Sequence, residues 1–521
     1  MGDSQETNTA GGAAPPQAAA RVGTGIEGFD DVLGGGFPAG RLYLVEGDPG
    51  AGKTTLAMQF LMAGARAGEP VLYVTLSETE EEMRAAARSH GWSLEGITIY
   101  ELIPHEDTLR PESQYTIFHP AEIELGETIK LMLAEFERLT PRRVIIDSLS
   151  EMRLLAGEAL RYRRQVLALK RFFAGRDATV LLLDDRTTAD LDLQVHSIAH
   201  GVVRLEQVGQ GYGTERRTLC IQKLRGARYR GGNHDFKIET GGINVFPRLV
   251  AAEHRDDALR EPVSSGIPEL DALMGGGLDR GTSTLLMGPA GSGKSSLATQ
   301  FAAAAAARGE AVNLYLFDEG RATYLARSAG LGIDIASHLE TGRVSIQQID
   351  PAELSPGEFA HIVRRGVKEN GARVVVIDSL NGYLMAMPEE RHLIAQMHEL
   401  LAYLNQQGVV TLLITAQHGF LGASITTPVD VSYIADNVIL FRYFEAAGAV
   451  RNAISVVKKR TGGHERTIRE LQMTARGISV GAPLAQFHGV LTGVPTFGGG
   501  AAVLFGRGKR GEESEGNDAE G

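Results

Sequence analysis

TGIEGFDDVLGGGFPAG, residues Thr24–Gly40, recurs as SGIPELDALMGGGLDRG, residues Ser265–Gly281. The offset is 241 residues, and it also relates Lys53 to Lys294, Gln59 to Gln300, Phe60 to Phe301 and Glu78 to Glu319. Solenoid units repeat every ~20–50 residues, so this longer period marks a whole domain copied once. Residues 251–262, AAEHRDDALREP, are polar and end in Pro, which makes them the expected seam. The two copies are accordingly assigned to residues 21–250 and 263–485.

Within the copies, short apolar runs such as LYLVEG, VLYVTL, RVVVID and TLLITA alternate with helical stretches at Lys53–Ala67 and Ser295–Arg308. Such alternation predicts βαβ units, hence an α/β fold with mostly parallel sheets flanked by helices. A chain of 521 residues, 43% hydrophobic and 22% charged, has material for two such cores. Residues 1–20 are rich in Gly, Ala and Pro, and residues 486–521 form a Gly-rich and acidic tail. Neither terminus shows the apolar periodicity that offsets the entropy of ordering, and both ends are expected to be disordered.

A formal net charge of −12 argues against broad binding to a phosphate backbone, so nucleic acid is not the expected partner. Arg161, Arg163, Arg164, Lys170 and Arg171 have the spacing of a solvated helix face. The lone Cys220 cannot form an internal disulfide and reads as a packing residue. No apolar run is long enough to span a bilayer and no signal core is present, so a cytoplasmic protein without a membrane partner is expected.

GDPGAGKT (Gly47–Thr54) and GPAGSGKS (Gly288–Ser295) each follow an apolar strand and precede a helix. In this context the glycines allow a tight loop whose N–H groups surround phosphates at the positive end of the helix. The expected ATP contacts are Gly47, Gly50, Gly52, Lys53, Thr54 and Thr55 in the first copy. In the second they are Gly288, Gly291, Gly293, Lys294, Ser295 and Ser296. Thr54 and Ser295 offer a hydroxyl to Mg2+, an ion that prefers hard oxygen ligands. Asp147 in VIIDS and Asp378 in VVVIDS end hydrophobic runs and are the matching acidic metal ligands. Their spacings from Lys53 and Lys294 are similar, which suggests adjacent strands of one sheet. Glu78 and Glu319 each lie 25 residues after the loop lysine, just past the next strand, where a carboxylate can orient an attacking water. Glu80, Glu81 and Glu82 read instead as acidic residues of a helix's first turn.

With these motifs in place, the chain from about Val22 to Thr496 resembles the KaiC family of RecA-like ATPases. The likeness rests on the doubled TGI…LGGG segment, the doubled loop, VTLSE and LFDE, and the closing stretch AISVVKKRTGGHERTIREL. The resemblance implies a double-ring homohexamer with ATP between subunits. It also implies basic residues from the neighbour at each site, matching Lys223 and Arg225 in one copy and Lys458 and Arg460 in the other. Without the family these are cations on a strand. The resemblance further implies autophosphorylation in the second domain, on hydroxyls matching Ser432 and Thr427, and a clock role with signalling protein partners.

Three departures bear on those expectations. The family's adjacent Ser-Thr pair reads Ser432-Tyr433, so a two-site phosphorylation cycle does not carry over. Its Glu-Glu pair becomes Ser77-Glu78 and Asp318-Glu319, leaving one glutamate per site and hydrolysis expected. After Gly493–Thr496 the chain leaves the family's pattern, so the partner that binds the family's tail is not implied. Two rival classes stay open at this point: a DNA-associated RecA-like ATPase, and a nucleotide-gated platform without kinase activity.

Overall fold

The computed structural model of the protein describes residues 20–102, 120–186, 193–209, 213–251, 261–385, 393–417, 433–491 and 496–498. Its contacts divide the chain into two compact units between Arg248 and Leu249. Leu249 is buried among the core residues of the second unit, which is why the boundary precedes it. Most of the expected disordered segment 1–20, residues 252–260 of the expected seam and residues 499–521 of the tail lie outside the described residues.

In the first unit, β1 (Leu42–Gly47) runs into α1 (Lys53–Arg66), followed by β2 (Val71–Thr75), α2 (Glu80–Ser89), β3 (Thr98–Glu101) and β4 (Arg143–Asp147). Next come α3 (Ala159–Phe173), β5 (Thr179–Asp185), α4 (Leu193–Ile198), β6 (Gly201–Val208), β7 (Arg216–Leu224), β8 (Asn233–Glu239) and β9 (Gly242–Phe246). The nine strands form one sheet in the order β3-β2-β4-β5-β1-β6-β7-β8-β9. The first six in that order are parallel and the last three continue antiparallel. Strands β1 and β2 are buried throughout, as expected of a parallel sheet covered on both faces.

The second unit repeats this plan. It contains β10 (Ser283–Gly288), α5 (Lys294–Ala307), β11 (Ala311–Leu316), α6 (Arg321–Gly330), β12 (Val344–Gln348) and β13 (Ala372–Asp378). Strands β14 (Val410–Ala416), β15 (Asn437–Ala446), β16 (Ala449–Lys459), β17 (Arg469–Thr474) and β18 (Gly477–Pro483) complete it. The order β12-β11-β13-β14-β10-β15-β16-β17-β18 matches the first sheet strand for strand. Both units are therefore tandem α/β domains of RecA-like plan, as the alternation of runs predicts.

The recurring stretch has the same physical task in both units. The Asp30 carboxylate accepts the Thr24 N–H at 2.7 Å, and the Asp271 carboxylate accepts the Ser265 N–H at 2.8 Å. Each bond fixes a short turn that lays the following apolar residues against the loop helix. Phe37 packs on Tyr43 of β1 and edge-on against Phe60 of α1, with centroids 4.4 and 6.3 Å apart. Such aromatic pairs contribute about 0.5–1.5 kcal/mol each beyond burial.

One expectation requires correction. The aspartate strand is not adjacent to the loop strand: β5 lies between β1 and β4, and β14 lies between β10 and β13. Spacing along the chain measures how much crossover connection intervenes, but it does not say whether a later strand is inserted between two earlier ones. The inserted strand brings its own chemistry to the site.

Candidate active sites

The first loop leaves β1 at Gly47 and enters α1 through Gly52, whose φ of 101° is in the left-handed region that favours glycine. Gly47 is required for a different reason, because a Cβ there would meet the Leu205 carbonyl oxygen at 2.5 Å. The second loop is built alike: Gly293 has φ 99°, and a Cβ on Gly288 would meet the Phe441 carbonyl oxygen at 2.6 Å. Each loop thus delivers its N–H groups to the start of a helix of 14 residues, where the macrodipole favours an anion.

The lysines are buried, yet they are held differently. Lys53 Nζ donates to the Gly47 and Asp48 carbonyls at 2.9 and 3.0 Å and pairs with the Asp185 carboxylate at 2.6 Å. Asp185 ends β5, the interposed strand. Its register partner is Gly47, and at the matching place in the second sheet Gly288 stands beside Ala416. Lys294 accordingly donates to the Pro289 carbonyl at 2.6 Å, and burial, partly opposed by Asp378, lowers its pKa to about 8.

Thr54 Oγ1 lies 3.4 Å from Asp147 Oδ2, and the Tyr73 hydroxyl of β2 donates to the same oxygen at 2.6 Å. Burial pushes the Asp147 carboxyl up, and the Tyr73 hydrogen bond offsets part of that. Asp378 is likewise raised by burial, opposed by the Ser295 hydroxyl and by Arg327. In both units the peptide joining this aspartate to the next serine is cis. A hydroxyl beside a strand-end carboxylate is an all-oxygen donor pair, which fits Mg2+.

The carbonyls of Asp147 and Asp378 also accept the N–H groups of Leu76 and Phe317, at 2.7 and 2.6 Å. These bonds bring Glu78 and Glu319 to the same end of the sheet as the loops. The Glu78 N–H donates to Thr75 Oγ1 at 3.0 Å, and Thr79 and Glu82 form a capping box that starts α2. Glu80, Glu81 and Glu82 occupy the first turn of α2, in line with their expected role. Partial desolvation, together with the charges of Asp147 and Glu82, raises the Glu78 pKa. Glu319 instead meets the Arg327 guanidinium of α6 at 2.8 and 3.2 Å.

The paired motifs and this geometry agree with two comparisons. The family described as ATPase: KaiC matches residues 22–250 and again 263–485. The chain belongs to the KaiC ATPase family. Nucleotide binding and use of a divalent metal follow from that membership. It is 29% identical over 488 residues to the circadian clock oscillator protein KaiC of Synechococcus elongatus, covering 92% of each chain. It is 26% identical over 490 residues to the circadian clock protein KaiC3 of a Synechocystis strain, covering 92% of this chain and 95% of that protein.

The four family-implied cations stand apart from the loops of their own unit. Lys223 is registered opposite Val202, which is level with Leu44, three residues back along β1 from Gly47. At about 3.3 Å per residue, that places it ~10 Å toward the far end of the sheet. Lys458 is opposite Val438, level with Leu285, the same distance before Gly288. Lys223 Nζ donates to the carbonyls of His196 and, at 2.8 Å, Ala199, and Arg225 to that of Ser197 at 3.1 Å. Lys458 Nζ donates to the Ala435 carbonyl at 2.7 Å, and the exposed Arg460 to that of Tyr433 at 2.8 Å. Thr427 and Ser432 lie outside the described residues.

Sequence reasoning missed Tyr73, Asp185 and Arg327. For Asp185 a signal existed, because TVLLLDD is a hydrophobic run ending in acids, the same pattern that marks Asp147. Among the described residues no helix is long and apolar enough to cross a membrane.

Proposed function

We propose that both loops bind ATP with Mg2+ and hydrolyse it, with Glu78 and Glu319 as the water-orienting bases. The observation that supports this reading is the convergence, in each unit, of a buried loop lysine, a hydroxyl and a strand-end aspartate. Lys53 and Lys294 contact the β- and γ-phosphates, and Thr55 and Ser296 continue each loop's contacts. Mg2+, when held by Thr54 and Asp147 or by Ser295 and Asp378, supplies neutralisation of phosphate charge. Water attacks the γ-phosphorus, the bond to the bridging oxygen of ADP breaks, and the proton of the water passes to the glutamate. A carboxyl with a raised pKa, such as that of Glu78, is a better proton acceptor near neutral pH than an ordinary one.

The functional assembly in this reading is a homohexamer in the cytoplasm. Lys223, Arg225, Lys458 and Arg460 complete the ATP site of a neighbouring subunit, consistent with their distance from their own loops. The second domain transfers phosphate to Ser432 or Thr427, and the protein serves circadian or other signalling regulation through protein partners. Phosphate release from ATP tests the catalytic part. Activity should survive in part in Lys53→Ala and in Lys294→Ala and vanish in the double variant; a double variant as active as the wild type would sink the reading. Mass spectrometry after incubation with ATP tests the kinase part. An unmodified Ser432 and Thr427 would restrict the protein to ATP hydrolysis.

A further inference from the structure

Glu46 is the residue of β1 just before Gly47, and it is only 2% exposed. Its carboxylate accepts from His196 Nε2 of α4 at 2.5 Å and from Arg204 Nε of β6 at 2.8 Å. Burial alone would raise this carboxyl, but the two bonds outweigh it and hold the group below the usual carboxylate range, so it is charged. At the matching place in the second sheet, Met287 stands beside Leu440 where Glu46 stands beside Arg204. Replacing a buried ion pair by apolar side chains of similar size is often neutral or stabilising, and the second sheet forms with the apolar pair. Holding the sheet together therefore does not explain Glu46. What it holds beyond the sheet is α4.

The last carbonyls of a helix have no intrahelical partner, and those at the end of α4 accept from cations. Lys223 Nζ of β7 donates to the carbonyls of His196 and, at 2.8 Å, Ala199. Arg225 donates to that of Ser197 at 3.1 Å, and Lys170 of α3 to that of Ile198 at 2.7 Å. Burial, joined by the charges of Arg225 and Lys170, lowers the Lys223 pKa, so these cations are crowded and gain from an anion brought to them. His196 is bonded at both ends: its ring to the loop strand, its carbonyl to Lys223.

We infer that Glu46 and His196 are positioning residues, which fasten the end of α4 to the loop strand and so set where Lys223 and Arg225 stand for a neighbouring subunit's first ATP site. This rests on the reading that those two cations complete a neighbour's site. A hydrogen bond to a carbonyl weakens steeply once bent, so Lys223 and Arg225 follow the helix end when it shifts. One subunit's loop strand and the cations it lends are thereby joined through a single imidazole.

The test is subunit mixing read by ATP turnover, with every full-length chain carrying Lys294→Ala so that turnover reports the first site. A site chain keeps its loop but carries Lys223→Ala/Arg225→Ala, and a donor chain keeps its cations but carries Lys53→Ala. Turnover regained on mixing then comes from the donor's cations at the site chain's loop. Adding His196→Ala to the donor should lower the regained kcat by roughly tenfold or more, with KM moving less, since a shift of about 1 Å in a group that acts on the transition state can cost ~100-fold. Glu46→Gln in the donor should lower it as well, and His196→Gln, whose amide can still donate to Glu46, should lose less than His196→Ala. In the site chain, whose own cations are gone, His196→Ala has nothing left to position and should cost far less. Equal losses from the two placements, or a loss confined to the site chain, overturn the inference and make His196 a support of its own loop or fold. No turnover regained from the mixture without His196 or Glu46 changes refutes instead the sharing of cations, and the inference goes with it.

Discussion

Replacing Tyr73 by Phe removes one hydroxyl from the middle of the first unit. That hydroxyl is buried and donates at 2.6 Å to Asp147 Oδ2, whose other recorded hydroxyl neighbour, Thr54 Oγ1, is 3.4 Å away. A hydrogen bond to a charged group is worth about 1.5–3 kcal/mol, and the phenyl ring leaves the carboxylate oxygen without a short donor. Taking ~2 kcal/mol, the first unit should lose about 4–8 °C in Tm, since a domain of this size shifts roughly 2–4 °C per kcal/mol. The same energy is a factor of about 30 in an equilibrium constant, which should appear in the Mg2+ requirement of the first site. The Tyr73 bond also lowers the Asp147 pKa against burial, so its loss moves the acidic limb of the first-site pH profile to higher pH. Thermal unfolding of ligand-free protein and Mg2+ titration of turnover, both in a Lys294→Ala background, measure these effects. A lower Tm with an unchanged Mg2+ requirement and an unchanged acidic limb would refute the assignment of Tyr73 to metal-ligand orientation.

Other expectations follow from the same geometry. Lys294 loses its proton near pH 8 when folded and near 10.5 when unfolded, so in that window the folded state binds fewer protons. Stability of the ligand-free second unit should therefore rise with pH from about 8, while ATP affinity there falls by up to tenfold per unit; a fluorescent nucleotide titration of Lys53→Ala at pH 7 and 9 checks the second part. Asp185→Asn removes the carboxylate that occupies Lys53 and should tighten ATP binding at the first loop by roughly tenfold, as read by nucleotide titration in Lys294→Ala. A Lys223→Ala/Arg225→Ala chain and a Lys53→Ala chain, both also carrying Lys294→Ala, should each be slow alone and recover activity when mixed. Recovery requires that one chain's cations serve its neighbour's loop, and an inactive mixture counts against shared sites.

The phosphate loops were legible because their chemistry demands contiguous residues: a cradle of N–H groups followed at once by a lysine and a hydroxyl. The doubled plan was legible for the same reason, since copied local turns such as Thr24–Asp30 and Ser265–Asp271 keep their spacing. Strand order was not, because nothing in the interval between Lys53 and Asp147 records that β5 inserts itself between their strands. The residues that make the two sites unequal were missed on similar grounds. Tyr73 and Asp147 are 74 positions apart and meet through the pairing of β2 with β4. Arg327 stands close to Glu319 in sequence, but as one of two arginines on α6 it becomes meaningful only once Tyr324 and Ser328 fix which face is buried.

Asp185 gives the first loop the character of an ion exchanger loaded in advance. With its lysine already matched to a tethered carboxylate, a stray monovalent anion has little to gain there, and a ligand must bring enough negative charge to displace the resident one. Among the described residues the second loop has Ala416 rather than a carboxylate beside Gly288, so sulfate or inorganic phosphate should compete for it more directly. Under changing salt the two halves of one chain should thus behave as different resins, the first the more selective and the second the more open.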